Sequence, residues 1–296
     1  ILPTGAGKSL CWQLPALMMD ELTVVISPLI VLMHDQVRHL RERGIPSVHL
    51  DSLMTPAERA DALNQLTRGQ AKIAFLAPER LNHPEIHALC QQRPPAMVVV
   101  DEAHCVVQWG DAFRPSYQQI GQFVSSLPRR PVLCAMTATA DKQLQRGIVQ
   151  SLGLRHPKRI VMPVERPNLH YSVLPTVHVT DAILRALQKI PGKAVVFCRL
   201  RARTESLAEQ LNRAGIPAAA YHAGLNREER SRVVQAYLSG RIRVVTATSA
   251  FGMGVDIPDI RLILHDHLPT NMIDYVQQSG RAGRDGETAY ALLLFS

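Results

Sequence analysis

The chain has 296 residues, is 46% hydrophobic and 20% charged, and carries a formal net charge of +8. That length suits two domains of ordinary size, and the composition excludes a disordered or fibrous chain. The charge is uneven, with 14 Lys/Arg against 13 Asp/Glu in residues 1–150 and 19 against 12 in residues 151–296; a basic second half favours a polyanionic partner.

In chain order, strands are predicted at 23–27 and, after a helix at 31–43 and another at 57–68, at 72–76, 97–101 and 132–136. A helix at 141–152 follows, with helix stops at Gly44 and Gly153. Residues 155–176 hold Pro157, Pro163, Pro167 and Pro175 without a clear period and read as a linker. A second set begins with a strand at 193–198, a helix at 203–214 that stops at Gly215, and a strand at 217–221. It closes with a helix at 227–238 and strands at 242–247 and 260–265. Continuous apolar strands alternating with helices imply parallel sheets covered on both faces. The expected fold is therefore α/β, with two similar lobes at 1–154 and 177–296. No signal peptide or apolar run of membrane-spanning length is visible. Cys11, Cys90, Cys105, Cys134 and Cys198 include no C-x-x-C pair, which gives no zinc site and suits a reducing cytosol. The chain opens at Ile1 inside a motif, so it is expected to be part of a longer protein.

Residues 3–9 read PTGAGKS and lead into a helical stretch. Gly5 and Gly7, with Thr4 and Ala6 between and before them, would let backbone N–H groups close around phosphate oxygens. Lys8 would reach the β/γ-phosphates, and the Ser9 hydroxyl would bind Mg²⁺. Leu2 stands where the strict pattern wants Gly; a Gly-rich turn capped by Ser9 is the alternative. Residues 98–117, VVVDEAHCVVQWGDAFRPSY, run from a buried strand into Asp101 and Glu102. An acid pair at the carboxyl end of a parallel strand is placed to hold Mg²⁺ (Asp101) and to activate water (Glu102). His104 on the same turn could sense the γ-phosphate. Gln108, Trp109, Gly110, Phe113, Arg114 and Tyr117 form a polar, aromatic loop suited to stacking, with core packing of Trp109 and Phe113 as the alternative. In QQSGRAGR, residues 277–284, Arg281 and Arg284 are three apart and would share one face of a helix, where they could stabilise transferring phosphate charge.

The ordered set PTGAGKS, SPLIVLMHDQV, APERL, DEAHCVVQWGDAFRPSY, TATA, YHAGL, ATSAFGMGVDIP and QQSGRAGRDG, from Pro3 to Gly286, resembles the RecQ family of superfamily 2 DNA helicases. The resemblance implies two tandem RecA-like lobes with the nucleotide site in the cleft between them. It also implies 3′→5′ movement on single-stranded DNA, unwinding of duplex DNA, and use of ATP and Mg²⁺. A role in recombination or repair and a cytoplasmic or nucleoid location are implied with it. By position, Lys8, Ser9, Asp101, Glu102, Gln277, Arg281 and Arg284 fall on nucleotide-handling motifs, and Thr137 and Thr139 on the inter-lobe coupling motif. Ser27, Pro28, Arg80 and Thr248 fall near strand-contact positions. Trp109, Phe113 and Arg114 match the aromatic loop that links DNA binding to hydrolysis. Asp111 stands where the family usually carries His, and Ala112 where a polar residue is common. GVDIP at 254–258 is closer to other superfamily 2 helicases and points to Asp256 as a contact of the nucleotide sugar. The family's adenine-reading Gln lies upstream of Pro3. An RNA-directed ATPase of the same superfamily and a nucleic-acid-binding module with weak ATPase remain the competing readings.

Overall fold

The computed structural model describes residues 1, 7–28, 30–107, 115–138, 140–162, 166–249, 251 and 257–295. The chain divides into two compact units, Ile1–Val164 and Glu165–Ser296. Among the described residues no helix is long and apolar enough to cross a membrane.

The first unit runs α1 (Lys8–Met18), β1 (Thr23–Ile26), α2 (Ile30–Glu42), β2 (Ser47–Leu50), α3 (Pro56–Thr67) and β3 (Ile73–Leu76). It continues with α4 (Pro84–Gln92), β4 (Met97–Val100), α5 (Pro115–Gln118), α6 (Ile120–Ser126), β5 (Val132–Ala135) and α7 (Lys142–Ser151). Its five strands are all parallel, in the order β2-β3-β1-β4-β5. β3, β1 and β4, apolar but for Thr23, sit in the middle and are buried along their length, as helices on both faces require. Trp12 and Ala16 of α1 and Met33, Val37 and Leu40 of α2 pack on Val25, Phe75 and Val99. The register matters for the site. Ile26 lies opposite both Leu76 and Val100, so β1, β3 and β4 end level. The ladder continues one residue further: Asp101 N–H donates to Ile26 O at 2.9 Å and Ser27 N–H to Leu76 O at 3.2 Å. Ser27, Ala77 and Asp101 thus stand in a row at the carboxyl edge, the place where open α/β sheets bind ligands.

The second unit holds β6 (Leu169–Pro175), α8 (Val179–Lys189), β7 (Lys193–Phe197), α9 (Arg201–Arg213) and β8 (Ala218–Tyr221). After these come α10 (Arg227–Leu238), β9 (Val244–Ala247), β10 (Ile260–His265), α11 (Met272–Ser279) and β11 (Ala289–Phe295). Its six parallel strands are ordered β6-β11-β10-β7-β9-β8.

One predicted element is corrected. Residues 155–176 read as a linker, yet Leu169–Pro175 is an edge strand paired in full register with Ala289–Phe295. Only Leu169 is buried in it, and an edge position lets the remaining side chains face water, so neither alternation nor an apolar run marks it. The short β2 (SVHL) and the C-terminal β11 are further strands absent from the sequence prediction.

Candidate active site

The amino end of α1 has features that suit an anion. Gly7, its N-cap, has φ 76° and ψ 28°, a left-handed conformation that a side-chain-bearing residue adopts at a cost. Gly7 offers no side chain to cap the helix, and the first turn contains no acid. Among the described residues, the first-turn N–H groups and the positive end of the helix dipole are thus open to an anion. Lys8 and Ser9 occupy that turn. Thr4, Gly5 and Ala6 lie outside the described residues.

The acid pair begins where β4 ends. Glu102 takes up φ 45° and ψ 47°, one of two described non-glycine residues with positive φ. This reverses the chain into a short 3₁₀ turn, Ala103–Val106, whose first N–H reaches Met136 O at 2.8 Å. Asp101 Oδ1 accepts the Glu102 N–H at 3.0 Å. Tyr117, which the sequence placed in a stacking loop, is fully buried instead and donates its hydroxyl to Asp101 O at 3.1 Å. Burial pushes the Asp101 carboxyl well above the usual carboxylate range, and the neighbouring Glu102 charge adds to it. Lys8 and His104 act in the opposite sense, so the structure brings the Lys8 charge to bear on Asp101.

His104 is turned inward, 6% exposed, rather than outward as a phosphate sensor would be. Its Nδ1 lies 3.2 Å from Glu102 Oε2 and 3.0 Å from Thr137 Oγ1. Burial alone would lower its pKa, but Cys105 and the Glu102 carboxylate outweigh burial and raise it to about 10. The result is a continuous polar link from the acid pair at the end of β4 to Thr137, just past β5. Thr139, the other coupling residue, lies outside the described residues, as do Trp109, Phe113, Arg114 and Asp256.

The expected strand-contact residues divide. Ser27 and Pro28 stand at the carboxyl edge of the sheet and are buried. Arg80 is 7% exposed, and its Nε and one terminal nitrogen donate to Asp51 O at 3.1 and 2.8 Å. Its guanidinium therefore braces the chain. Thr248 follows β9, half-buried, with its N–H on Tyr221 O at 3.2 Å.

In the second unit Gln277 sits in the last turn of α11. The expectation of a shared helical face for Arg281 and Arg284 is not met, because α11 ends at Ser279 and both arginines lie in the turns that follow. Gly283 shapes the turn that follows the helix. It has φ 57°, and a Cβ there would stand 2.6 Å from Asn168 Nδ2 and 2.7 Å from Glu287 O. Its N–H instead donates to Ile260 O at 2.9 Å. Asn168 Nδ2 donates to Gly283 O and Glu287 O, each at 2.8 Å, and Arg166 reaches Ala282 O at 3.1 Å. Arg261 pairs with Asp285. The arginine-bearing turn is thus clamped by Arg166, Asn168 and Arg261, three residues sequence reasoning passed over. Two of them lie within the supposed linker, and no motif marks any of them.

The family model described as DEAD/DEAH box helicase matches residues 1–146, and the one described as Helicase conserved C-terminal domain matches residues 177–286. The chain is similar to the ATP-dependent DNA helicase RecQ of Pasteurella multocida, with 39% identity over 296 residues. That match covers 100% of this chain and 47% of the relative. It is also similar to the ATP-dependent DNA helicase RecQ of Synechocystis, with 40% identity over 308 residues, covering 100% of this chain and 64% of the relative. Among solved structures, the DUF1998 helicase MrfA bound to DNA and AMPPNP superposes with a TM-score of 0.77 at 23% identity. It covers 100% of this chain and 45% of that one, and it shows the fold: tandem RecA-like α/β domains. With both helicase domains matched in order and identity near two-fifths along the whole chain, the chain belongs to the RecQ family of DEAD/DEAH box helicases.

Proposed function

We propose that this chain is the motor core of an ATP-dependent DNA helicase that moves 3′→5′ on single-stranded DNA and unwinds duplex DNA, using ATP and Mg²⁺. The observation that carries this reading is the uncapped, acid-free amino end of α1 with Lys8 acting on Asp101, next to Glu102. These residues fit a nucleotide triphosphate with its metal: first-turn N–H groups and a lysine for phosphate, and carboxylates for a cation and a water. Bound ATP would supply the phosphoryl group whose transfer to water drives movement, and Mg²⁺ would neutralise charge on the phosphates.

Lys8 would neutralise phosphate charge, and Ser9 and Asp101 would hold the metal. Glu102 orients the attacking water and accepts its proton. The Thr4–Gly7 backbone cradles phosphate, Asp256 meets the sugar, and Gln277, Arg281 and Arg284 handle charge that grows in the transition state. Trp109, Phe113 and Arg114 meet the DNA, where stacking on aromatics contributes about 1–3 kcal/mol per base. Ser27, Pro28 and Thr248 contact the strand, while His104, Thr137 and Thr139 carry the state of the acid pair onward. We place the protein in the cytosol or nucleoid, in recombination or repair.

The test measures ATP turnover with single-stranded DNA and with RNA of the same sequence, and then unwinding of duplexes with a 3′ or a 5′ tail. DNA stimulation and preference for the 3′ tail are expected. Stronger stimulation by RNA would make the chain an RNA-directed ATPase, and no stimulation at all would leave a binding module.

A further inference from the structure

A second cluster of chemically capable side chains lies away from the acid pair, at the carboxyl end of β2. His34 comes from α2, His49 from β2, and Asp51 follows β2 directly. Asp51 is wholly buried, while the two imidazoles are partly open to solvent, with side-chain exposures of 29% and 23%. Asp51 Oδ2 lies 2.7 Å from His34 Nε2 and 3.0 Å from His49 Nδ1. The ring centroids are 4.0 Å apart. Three potential ligand atoms, one from each residue, all lie within 4.8 Å of one another.

We propose that His34, His49 and Asp51 form a binding site for a divalent transition-metal ion of the zinc class, with its remaining position open to water. The donor set argues for that class: two imidazole nitrogens and one carboxylate oxygen suit Zn²⁺ and its neighbours better than Mg²⁺ or Ca²⁺, which take oxygen shells. The geometry is close to what is needed. Metal–ligand bonds of about 2.0–2.2 Å in a tetrahedron put ligand atoms roughly 3.3 Å apart. The pairs at 2.7 and 3.0 Å need to open by only a few tenths of an ångström, within the reach of side-chain torsions.

The surroundings already orient the carboxylate. Its other oxygen, Oδ1, accepts the Leu53 N–H at 2.8 Å, which leaves Oδ2 directed at the two rings. The Asp51 carbonyl is fixed by Arg80 at 2.8 Å, so the buried guanidinium holds the backbone of the site. Such outer contacts are what keep metal ligands in place. Metal entry requires each imidazole to carry its proton on the other ring nitrogen, because the nitrogens that face Asp51 Oδ2 become the ligands.

The competing account is a hydrogen-bonded His–Asp–His network with no affinity for metal. The test takes the 296-residue chain, strips it with a chelator, and titrates it with Co²⁺, then Zn²⁺. One equivalent of Co²⁺ should give visible d–d absorption of a tetrahedral nitrogen–oxygen site, without a thiolate charge-transfer band, and Zn²⁺ should displace it. His34→Gln and His49→Gln should each weaken binding at least about tenfold, while circular dichroism shows the fold retained. Asp51→Asn provides a further variant that keeps the shape of the carboxylate. Absence of stoichiometric binding, a thiolate signature, or affinity unchanged in His34→Gln would overturn the proposal.

Discussion

Replacing His104 by Gln probes the link between the acid pair and Thr137. His104 is 6% exposed, and its Nδ1 is 3.2 Å from Glu102 Oε2. Its pKa is raised from 6.5 to about 10. A cation favoured by the fold in this way stabilises it fully below 6.5, and the contribution is lost as pH rises through about 10. Across that window the folded chain holds one proton more than the unfolded chain at this site. Stability from this group therefore falls by up to about 1.4 kcal/mol per pH unit. Counting only the Glu102 partner, a charge-assisted contact contributes about 1.5–3 kcal/mol near neutrality. For a unit the size of Ile1–Val164, that corresponds to a drop in Tm of about 3–12 °C in His104→Gln. The assay is a series of thermal melts of both proteins from about pH 6.5 to 10. The gap between them should be widest at the low end and close towards the high end. A gap that stays constant with pH would mean that a neutral His104 merely fills space, and the reasoning would fail.

Three further outcomes are expected. Glu102→Gln should retain ATP and Mg²⁺ binding but stall hydrolysis, because Gln keeps the shape and loses the basicity; parallel losses of affinity and turnover on one sample would make Glu102 a binding residue. Gly283→Ala should lower stability by about 1–3 kcal/mol, since its Cβ would meet Asn168 Nδ2 at 2.6 Å, and turnover should fall with Arg281 and Arg284 displaced; an unchanged melt would refute the clamp. If Asp101 holds Mg²⁺ as proposed, its carboxyl, pushed up to about 7 by burial and Glu102, must lose a proton to the metal, so the Mg²⁺ concentration for half-maximal ATP turnover should rise about tenfold per pH unit on acidification below about pH 7. A requirement for Mg²⁺ that stays flat from about pH 8 to 5 would show that Asp101 is already ionised.

What could be read in advance follows from the kind of signal each part leaves. The buried strands β1, β3, β4, β7, β9 and β10 are short apolar runs, and both sheets were legible from them. The edge strand β6 buries one residue of seven and resembled a proline-rich linker. Lys8, Asp101 and Glu102 stand out in the sequence because the chemistry proposed for them depends on residue type and local spacing. The inward turn of His104 and the burial of Tyr117 were not, since each is decided by a partner far along the chain: Thr137 Oγ1 for one, Asp101 O for the other. The Arg281–Arg284 turn was misread as helix for the same reason. Periodicity does not report that Asn168, 115 residues earlier, closes on Gly283 O.

Position 102 shows where the chain favours chemistry over local ease. A left-handed backbone suits Gly or Asn, and a residue with a longer side chain pays about 1–2 kcal/mol to adopt it. Glu102 nevertheless occupies it at φ 45°. The cost is met by fixed contacts on both sides: the Glu102 N–H on Asp101 Oδ1, the Ala103 N–H on Met136 O, and the Tyr117 hydroxyl on Asp101 O. Glycine would relax the turn and keep every one of those backbone contacts. Only the carboxylate, 3.2 Å from His104, would be lost. A strained residue whose advantage over the unstrained one is its functional group is kept for what that group does: here the contact with His104 and, under the proposed function, a base beside a phosphate-binding helix end.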